Sequence, residues 1–336
     1  MSQSFDIAVI GATGTVGETL VQLLEERDFP VDSLYLLASS ESAGSSVPFK
    51  GRNLRVRDVA DFDFSQVTLA FFAAGEAVTR SFAERAQAAG CSLIDLSGAL
   101  ALDKAPCLVP EANADALQGL TRPYSLTSPS ASAVALACVL APLANQLGLR
   151  HVTVTACLAV SSLGRQGVKE LARQTAELLN ARPLESRFFD RQIAFNLLAQ
   201  SGDPDSEGHV ALERRMAAEI KQLLGQPGLS VAATCALAPV FFGDSFSVSL
   251  QVESDVDLPA VLELLRTAPG VELVEEGDYP TAVGDAVGQD AVYVGRVRRG
   301  IDGPRELNLW IASDNVRKGA ALNAVQSAEL LIKHYL

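Results

Sequence analysis

The first part of the chain alternates short apolar runs with amphipathic stretches. After the first and third runs, the apolar residues recur at helical spacing, as Val16, Leu20, Leu23 and Leu24 do. Strands that alternate with helices indicate parallel βαβ units with right-handed crossovers. The pattern therefore predicts an α/β domain on a parallel sheet. Its strands are the runs Phe5–Ile10, Leu34–Ala38, Thr68–Ala73 and Ser92–Leu96.

The pattern changes near residue 130, where the strands become longer and more β-branched. Helices are predicted at 131–147, 164–179, around 212–223 and at 257–267, with strands at 151–160, 229–241, 245–253, 291–298 and 306–312. The acidic segment 275–289 contains glycine and is predicted as a loop. We therefore expect one domain at 1–130, completed by a C-terminal helix at 315–336, and an α+β domain at 131–314.

Composition narrows the classes of function. The 336 residues are 48% hydrophobic and carry a formal net charge of −13. Such acidity argues against nucleic acid and anionic membrane surfaces as partners. The mean hydropathy is +0.20, but no stretch approaches the ~20 apolar residues of a membrane span. The N-terminus lacks a basic targeting region, so we expect a cytoplasmic protein.

The thiols and imidazoles do not form a metal-ligand pattern. The five cysteines are scattered without any CxxC spacing, and the three histidines lie far apart in sequence. Reduced and mostly buried thiols are the interpretation that fits this spacing, and we predict no metal site. The cysteines are Cys91, Cys107, Cys138, Cys157 and Cys235.

A glycine-rich turn, Gly11–Gly17, separates the first predicted strand from the first predicted helix. Glycines in such a turn let backbone N–H groups approach a pyrophosphate at the helix N-terminus. The spacing is GxxGxxG rather than GxGxxG, so the dinucleotide signature is partial. The strand before the turn and the helix after it favour dinucleotide binding over a turn that is merely tight.

The end of the second strand is where such domains read the adenosine ribose, and here it offers Ser39, Glu41 and Ser42. A carboxylate accepts hydrogen bonds from a ribose 2′-hydroxyl and repels a 2′-phosphate. We therefore predict NAD over NADP if a cofactor binds. The alternative is that Glu41 is a solvated turn residue.

Several segments together point to a known family. Gly11–Gly17, Ser42–Gly44, Val109–Asn113 and Asp314–Gln326 follow one another in an order that, with Ser128–Ser132, resembles the aspartate-semialdehyde dehydrogenase family. The chain looks closest to the family's Usg-type paralogues. The resemblance implies a Rossmann-like dinucleotide-binding domain, an α+β dimerisation domain and a homodimer. It also implies reductive dephosphorylation of aspartyl phosphate with a nicotinamide cofactor, through a cysteine thioacyl intermediate.

The residues that this reaction uses in the family are replaced. Ala131 stands in Ser-Pro-Ser-Ala where the family has the cysteine of Asn-Pro-Asn-Cys, and Leu158 stands at the family's glutamine. Leu237 and Asp244 take the positions of the substrate arginine and the catalytic histidine. Of the basic groups that bind substrate, Arg215 survives. The resemblance therefore predicts a pseudoenzyme.

The residues at the family's cofactor positions are retained. A dinucleotide site or a scaffold that folding requires regardless would each explain their retention. The retained residues are Gly11, Thr13, Gly14, Thr15 and Val16 in the turn, Ala74 and Gly75 after the third strand, and Ser162, Gly164 and Asn315 near the nicotinamide.

Three hypotheses follow. The chain is an NAD(P)-binding homodimer without dehydrogenase activity, or an NAD-dependent oxidoreductase that acts on an uncharged aldehyde or oxo group with Asp244 or a serine as proton carrier. In the third hypothesis it is a non-enzymatic interaction or scaffold protein. The sequence does not name a physiological small molecule or protein partner.

Overall fold

The protein is described by a computed structural model, in which residues 4–334 and 336 are placed. It divides into two compact units, Met1–Ser130 with Ala320–Leu336, and Ala131–Gly319. The chain returns to the first unit at Ala320, whereas the sequence predicts a return at residue 315. Residues 314–319 stay with the second unit, where the Gly288 N–H donates to Asp314 Oδ2 at 2.7 Å.

The first unit is a parallel sheet with helices. Its six strands are ordered β5-β2-β1-β6-β7-β8, and each pairing is parallel. From the centre, the chain winds outward to one side and then to the other, which is the doubly wound arrangement of dinucleotide-binding folds. The elements are β1 (Phe5–Ile10), α1 (Thr15–Glu26), β2 (Val31–Ala38), β3 (Ser46–Phe49), β4 (Arg52–Arg55), β5 (Arg57–Asp58), β6 (Leu69–Phe72), α2 (Glu76–Ala88), β7 (Ser92–Asp95), α3 (Pro110–Asn113) and β8 (Ser125–Thr127).

The apolar runs of β1 and β6 serve two cores at once. Val9 and Phe71 belong to one buried cluster, whereas their neighbours Ile10 and Phe72 belong to the other. Successive side chains of a strand point to opposite faces, so a sheet that is covered on both faces needs continuous apolar strands. This is why the strands of the first unit appear as runs rather than as alternating patterns.

A hairpin formed by β3 and β4 is not predicted from the sequence. Pro48 and the polar composition of the segment hide its strands. Its turn residues, Lys50 and Gly51, both have positive φ, at 47° and 72°. Two such residues make the type of turn whose twist suits a two-residue hairpin. Glycine at the second position was the available signal.

The second unit is a six-stranded mixed sheet, ordered β10-β9-β11-β14-β13-β12. Its elements are α4 (Ala131–Leu147), β9 (Leu149–Leu158), α5 (Gly164–Leu179), α6 (Ala211–Leu223), β10 (Ser230–Leu237), β11 (Asp244–Val252), α7 (Leu258–Thr267), β12 (Val271–Leu273), β13 (Val292–Arg299) and β14 (Glu306–Ser313). The final helix, α8 (Asn323–His334), belongs to the first unit. The observed α/β architecture confirms the predicted fold class.

One face of the second sheet is buried and the other is open. On β9, Val152, Val154 and Ala156 are buried, whereas Thr153 and Thr155 are exposed. The apolar side chains of β9 are therefore packed inside the unit. The open face instead presents small hydroxyl side chains.

Two segments near the C-terminus contain turns that periodicity did not reveal. The segment predicted as a loop at 275–289 includes a π-helical turn, Ala282–Ala286, and a second one, Arg317–Leu322, precedes α8. Within residues 4–334 and 336, none of the helices has the length and apolar character needed to span a bilayer.

Candidate functional site

The glycine-rich turn is packed tightly at its two ends. Gly11 has φ of +82°, and a Cβ built there would lie 2.6 Å from the Ala73 carbonyl oxygen. A Cβ on Gly17 would lie 2.1 Å from the Gly11 oxygen. Contacts this short do not occur for real side chains, so Gly11 and Gly17 are required by the fold whether or not a ligand binds. Gly17 is not among the predicted cofactor residues, although the fold requires glycine there.

Gly14 differs from the other two glycines of the turn. Its φ is −77°, which any residue adopts, and a Cβ there meets only the Gly11 oxygen, at 3.3 Å. Gly14 is the N-cap of α1, and no described side chain caps this helix end. Thr15 and Val16 begin the helix, directly after Thr13 and Gly14. The turn thus leaves a helix N-terminus without a side chain over it, which is the geometry that suits a phosphate group.

The residues after β6 lie beside the turn. Ala74 N would be 2.9 Å from a Cβ on Gly11, and Gly75 is the N-cap of α2. Both loops leave the carboxyl ends of adjacent parallel strands, β1 and β6, where ligands bind in open α/β sheets. The structure therefore brings these two sets of predicted cofactor residues together.

Ser39, Glu41 and Ser42 form a turn directly after β2. The Ser42 N–H donates to the Ser39 carbonyl at 3.0 Å, and the Glu41 side chain belongs to an exposed residue. The next two residues, Ala43 and Gly44, line a pocket of 580 Å³ together with Arg55 and Arg57. The neighbourhood thus contains an acidic turn and, beyond it, two guanidinium groups.

In the second unit, three predicted positions lie at one end of the sheet. Leu158 and Leu237 end the parallel strands β9 and β10 and are register partners. Asp244 begins β11, which runs antiparallel to β9, and it pairs with Ser313 at the end of β14. Leu158 and Leu237 are 1% and 2% exposed, so this end of the sheet is filled by hydrocarbon.

Asp244 is a buried carboxyl with a perturbed acidity. It is 2% exposed, and its Oδ1 accepts a hydrogen bond from the Ala159 N–H at 2.9 Å. Burial raises the pKa of Asp244 to about 7, the Ala159 N–H opposes the rise, and the charge of Asp314 adds to it. This end of the second sheet therefore carries a buried acid whose pKa is raised to about 7.

Asn315 connects the loops that surround this carboxyl. Its Oδ1 accepts from the Gly243 N–H at 2.9 Å, and its Nδ2 donates to Ser161 Oγ at 2.9 Å. Ser162 and Gly164 follow at the start of α5, where the Ser162 hydroxyl donates to the Ala159 carbonyl at 2.8 Å. The side-chain amide of Asn315 therefore holds loops of its own unit together. This structural role is enough to explain an asparagine at this position without a cofactor.

Ala131 and Arg215 occupy different parts of the unit. Ala131 is the first residue of α4, and its Cβ is 2.6 Å from where a Cβ on Gly319 would lie. Arg215 lies on α6, and its Nε donates to Glu219 Oε1 at 2.7 Å. The Glu219 side chain is 1% exposed, so this surviving basic group already neutralises a buried carboxylate.

The cysteines do not supply a replacement thiolate. Cys91, Cys107, Cys138 and Cys235 are buried, and burial raises the pKa of Cys91 and of Cys235 to about 12. Cys157 is partly exposed, but it follows the open-face register of Thr153 and Thr155, opposite to Leu158. Burial, and then the charge of Asp244, raises the pKa of Cys157 as well. A thiol with a raised pKa is a weak nucleophile near neutral pH.

Residues 4–334 and 336 contain no group of three His, Cys, Asp or Glu side chains able to hold an ion.

Comparisons with known proteins decide the family. The family described as "Semialdehyde dehydrogenase, NAD binding domain" matches residues 6–120, and "Semialdehyde dehydrogenase, dimerisation domain" matches residues 140–318. The chain belongs to the aspartate-semialdehyde dehydrogenase family. This confirms the resemblance and assigns the NAD(P)-binding domain to the first unit and the dimerisation domain to the second.

Three relatives of this family member illustrate its position. The "USG-1 protein homolog" of Azotobacter vinelandii is 62% identical over 333 residues, which cover 99% of each chain. "Aspartate-semialdehyde dehydrogenase 2" of Vibrio cholerae is 41% identical and covers 100% of each. The structure of a probable aspartate-semialdehyde dehydrogenase from Pseudomonas aeruginosa has a TM-score of 0.98 at 62% identity, covering 99% of this chain and 100% of that one. Its relatives thus include proteins described as USG-1 homologs and proteins described as aspartate-semialdehyde dehydrogenases.

Proposed function

We propose that this family member is an NAD(P)-binding homodimer that does not catalyse the family's dehydrogenation. The observation that carries the proposal is the end of the second sheet, where Leu158 and Leu237 bury hydrocarbon and Ala131 opens α4 with a methyl group. A thioacyl intermediate needs a thiolate, and an anionic substrate needs a cationic partner. These side chains provide neither.

The expected loss of rate is large. Removing the nucleophile or its base alone costs on the order of 10⁶-fold in kcat in a well-studied serine protease. The proposal places Ala131, Leu158 and Leu237 at the positions of the nucleophile, the orienting amide and the substrate arginine. Arg215 is engaged by Glu219. Moving an anionic substrate into such an apolar site would remove its hydration without compensation.

The first unit fits a dinucleotide. The uncapped N-terminus of α1 would hold the pyrophosphate, and Gly14 would let the backbone approach it. The Ser39–Ser42 turn would contact the adenosine ribose, and the loop at Ala74 and Gly75 lies at the neighbouring strand end. A bound nicotinamide cofactor would supply or accept hydride.

We propose NAD as the preferred cofactor. The support is the carboxylate of Glu41 in the turn after β2, which a 2′-hydroxyl satisfies and a 2′-phosphate repels. Arg55 and Arg57 line the pocket beyond Gly44 and have the opposite charge. A Glu41→Gln variant removes the carboxylate and leaves Arg55 and Arg57 in place. If the carboxylate sets the preference, the ratio of the NADP Kd to the NAD Kd should fall in this variant.

We also propose that two copies associate through the open face of the second sheet. The support for the homodimer is the dimerisation domain at residues 140–318, whose sheet leaves Thr153, Thr155 and Ser247 exposed. Flat faces of small side chains allow close approach of two sheets. Analytical ultracentrifugation of the purified protein should show a dimer, and Thr155→Arg should dissociate it.

The activity assay compares this chain with the Vibrio cholerae aspartate-semialdehyde dehydrogenase 2 under the same conditions. Both are given aspartate semialdehyde, phosphate and either NAD or NADP, and absorbance at the nicotinamide band is followed. We expect turnover by the control enzyme and a rate at least about 10⁴-fold lower for this chain. A rate near that of the control would overturn the proposed inertness.

Calorimetric titration with NAD and with NADP tests cofactor binding separately. We expect a complex with NAD that is tighter than that with NADP. A stable dimer that binds neither dinucleotide would contradict the cofactor part of the proposal and would favour a non-enzymatic interaction or scaffold protein.

A second candidate function is supported by Asp244. A carboxyl whose pKa is raised to about 7 can both give and take a proton near neutral pH. With an apolar surrounding at Leu158 and Leu237, it suits an oxidoreductase that acts on an uncharged aldehyde or oxo group with NAD. A panel of neutral aldehydes and ketones with NADH would reveal this activity, and flat absorbance across the panel would remove the candidate.

A further inference from the structure

The segment between α5 and α6, residues 180–210, is held in place by buried polar side chains. Gln174 is fully buried, and its Oε1 accepts from the N–H groups of Ile193 and Ala194 at 2.9 and 3.2 Å. Glu170, which is 5% exposed, accepts from the Arg187 N–H at 3.0 Å. These side chains substitute for the backbone ladder that an irregular segment lacks.

The same segment is also joined to the end of β10. Leu198 and Leu237 exchange two backbone hydrogen bonds, of 3.0 and 2.8 Å. One end of this bridge is Leu237, the position at which the family resemblance places the substrate arginine. The segment is a preorganised wall rather than a loose connection.

This wall encloses a pocket of 690 Å³ within the second unit. Its volume falls in the range of about 300–1,000 Å³ that small-molecule sites occupy. Three of its apolar side chains remain accessible, with Leu163 37%, Phe188 40% and Leu197 56% exposed. Apolar side chains gathered around a concavity indicate a binding site more strongly than single exposed ones do.

The charges of the pocket disfavour an anion. Its ionisable side chains are Asp190, Arg191 and Asp203, which leaves one negative charge in excess. Arg191 is engaged by its neighbour, because its Nε lies 3.3 Å from Asp190 Oδ2. Both side chains of this ion pair are largely exposed, so the pair is weak, and the excess of one negative charge remains the main charge feature of the lining. Leu237 adds hydrocarbon to the lining.

We infer that this pocket binds a small uncharged molecule with an aromatic or aliphatic body and one polar group. The inference deepens the proposed function, because it takes the loss of an anionic substrate as its starting point. It does not depend on a dinucleotide, since every residue that lines the pocket lies in the second unit. The volume and the accessible apolar side chains suit the body of such a molecule, and polar lining residues such as Asn196 and Gln200 suit its polar group. The excess negative charge argues against an anion.

The experiment uses the full-length chain and two probes of equal size, benzyl alcohol and benzoate, in saturation-transfer NMR titrations. We expect benzyl alcohol to bind in the millimolar range or better and benzoate to bind at least about tenfold more weakly, because its charge loses hydration without gaining a partner. Equal affinity for both probes, or no binding of benzyl alcohol, would overturn the inference.

Two variants locate the probe. Ala199→Trp fills the pocket from an exposed position that lines it, and Ile301→Trp adds the same side chain at a site that is 99% exposed and distant in sequence. We expect the Kd for benzyl alcohol to rise at least about fivefold in Ala199→Trp and to stay unchanged in Ile301→Trp. Unchanged binding in Ala199→Trp would contradict the assignment.

The remaining outcome concerns a second copy of the chain. If Ala199→Trp dissociates the dimer in ultracentrifugation and no probe binds the original chain, the pocket is a contact between copies and the inference is wrong. A failure of this kind is distinct from failure of the proposed function, because NAD titration and the dehydrogenase assay report on different residues.

Discussion

Asp244 provides the most quantitative test of the second unit. Its side chain is buried beside the Ala159 N–H, and burial raises its pKa from 3.8 to about 7. An acid whose pKa is raised on folding binds its proton more tightly in the folded state. Its stabilising contribution is therefore fully present below pH 3.8 and is lost as the pH rises to about 7.

The size of this effect follows from the shift. One pKa unit corresponds to about 1.4 kcal/mol, so the free energy of unfolding should fall by up to about 4 kcal/mol between pH 4 and pH 8 through Asp244 alone. Asp244→Asn keeps an oxygen that can accept from the Ala159 N–H and cannot ionise. The variant should therefore gain stability relative to the original chain as the pH rises through this window.

The assay is urea unfolding of both proteins from pH 4 to pH 8 at one fixed protein concentration, since dimerisation would make stability depend on concentration. Asp285→Asn is the matched control, because Asp285 is exposed and its pKa is lowered by hydrogen bonds from the Thr281 N–H and hydroxyl. Above pH 5 the control difference should be flat. A flat difference for Asp244→Asn as well would refute the link between its burial and its acidity.

Two further predictions concern the glycine turn and the anchor of the pocket wall. Gly14→Ala should change stability by less than about 1 kcal/mol and weaken NAD binding at least about tenfold in calorimetry, whereas Gly17→Ala should cost roughly 3 kcal/mol or more of stability in thermal unfolding. Equal losses of stability in Gly14→Ala and Gly17→Ala would contradict the difference between the 3.3 Å and 2.1 Å contacts of their Cβ atoms with the Gly11 oxygen. For Glu170, burial raises the pKa, but hydrogen bonds led by Arg173 outweigh it and lower the pKa to about 2. Its stabilisation is present above pH 4.5 and is lost as the pH falls towards 2, so Glu170→Gln should cost about 1.5–3 kcal/mol at pH 7 and less at pH 3. A cost that does not change with pH would show that the charge of Glu170 is unimportant.

The linear pattern of residues was enough to predict the fold class and most elements. A continuous apolar run such as Phe5–Ile10 indicates a strand covered on both faces, and the glycine turn after it marks the start of a helix. Helices 131–147 and 164–179 were predicted at the bounds that the structure has. These features are local, because periodicity and turn chemistry depend on residues within a few positions of each other.

Other features depend on contacts between residues that are distant in the chain, and only the folded structure reveals them. The difference between Gly14 and its neighbours Gly11 and Gly17 comes from the path of the backbone around the turn and from Ala73. The acidity of Asp244 comes from its burial, which its position at the start of a strand does not disclose. The lining of the 690 Å³ pocket includes Leu198 and Leu237, which are distant in the chain and are joined by a β-bridge. Burial and cavities are properties of three-dimensional packing, and periodicity along the chain does not encode them.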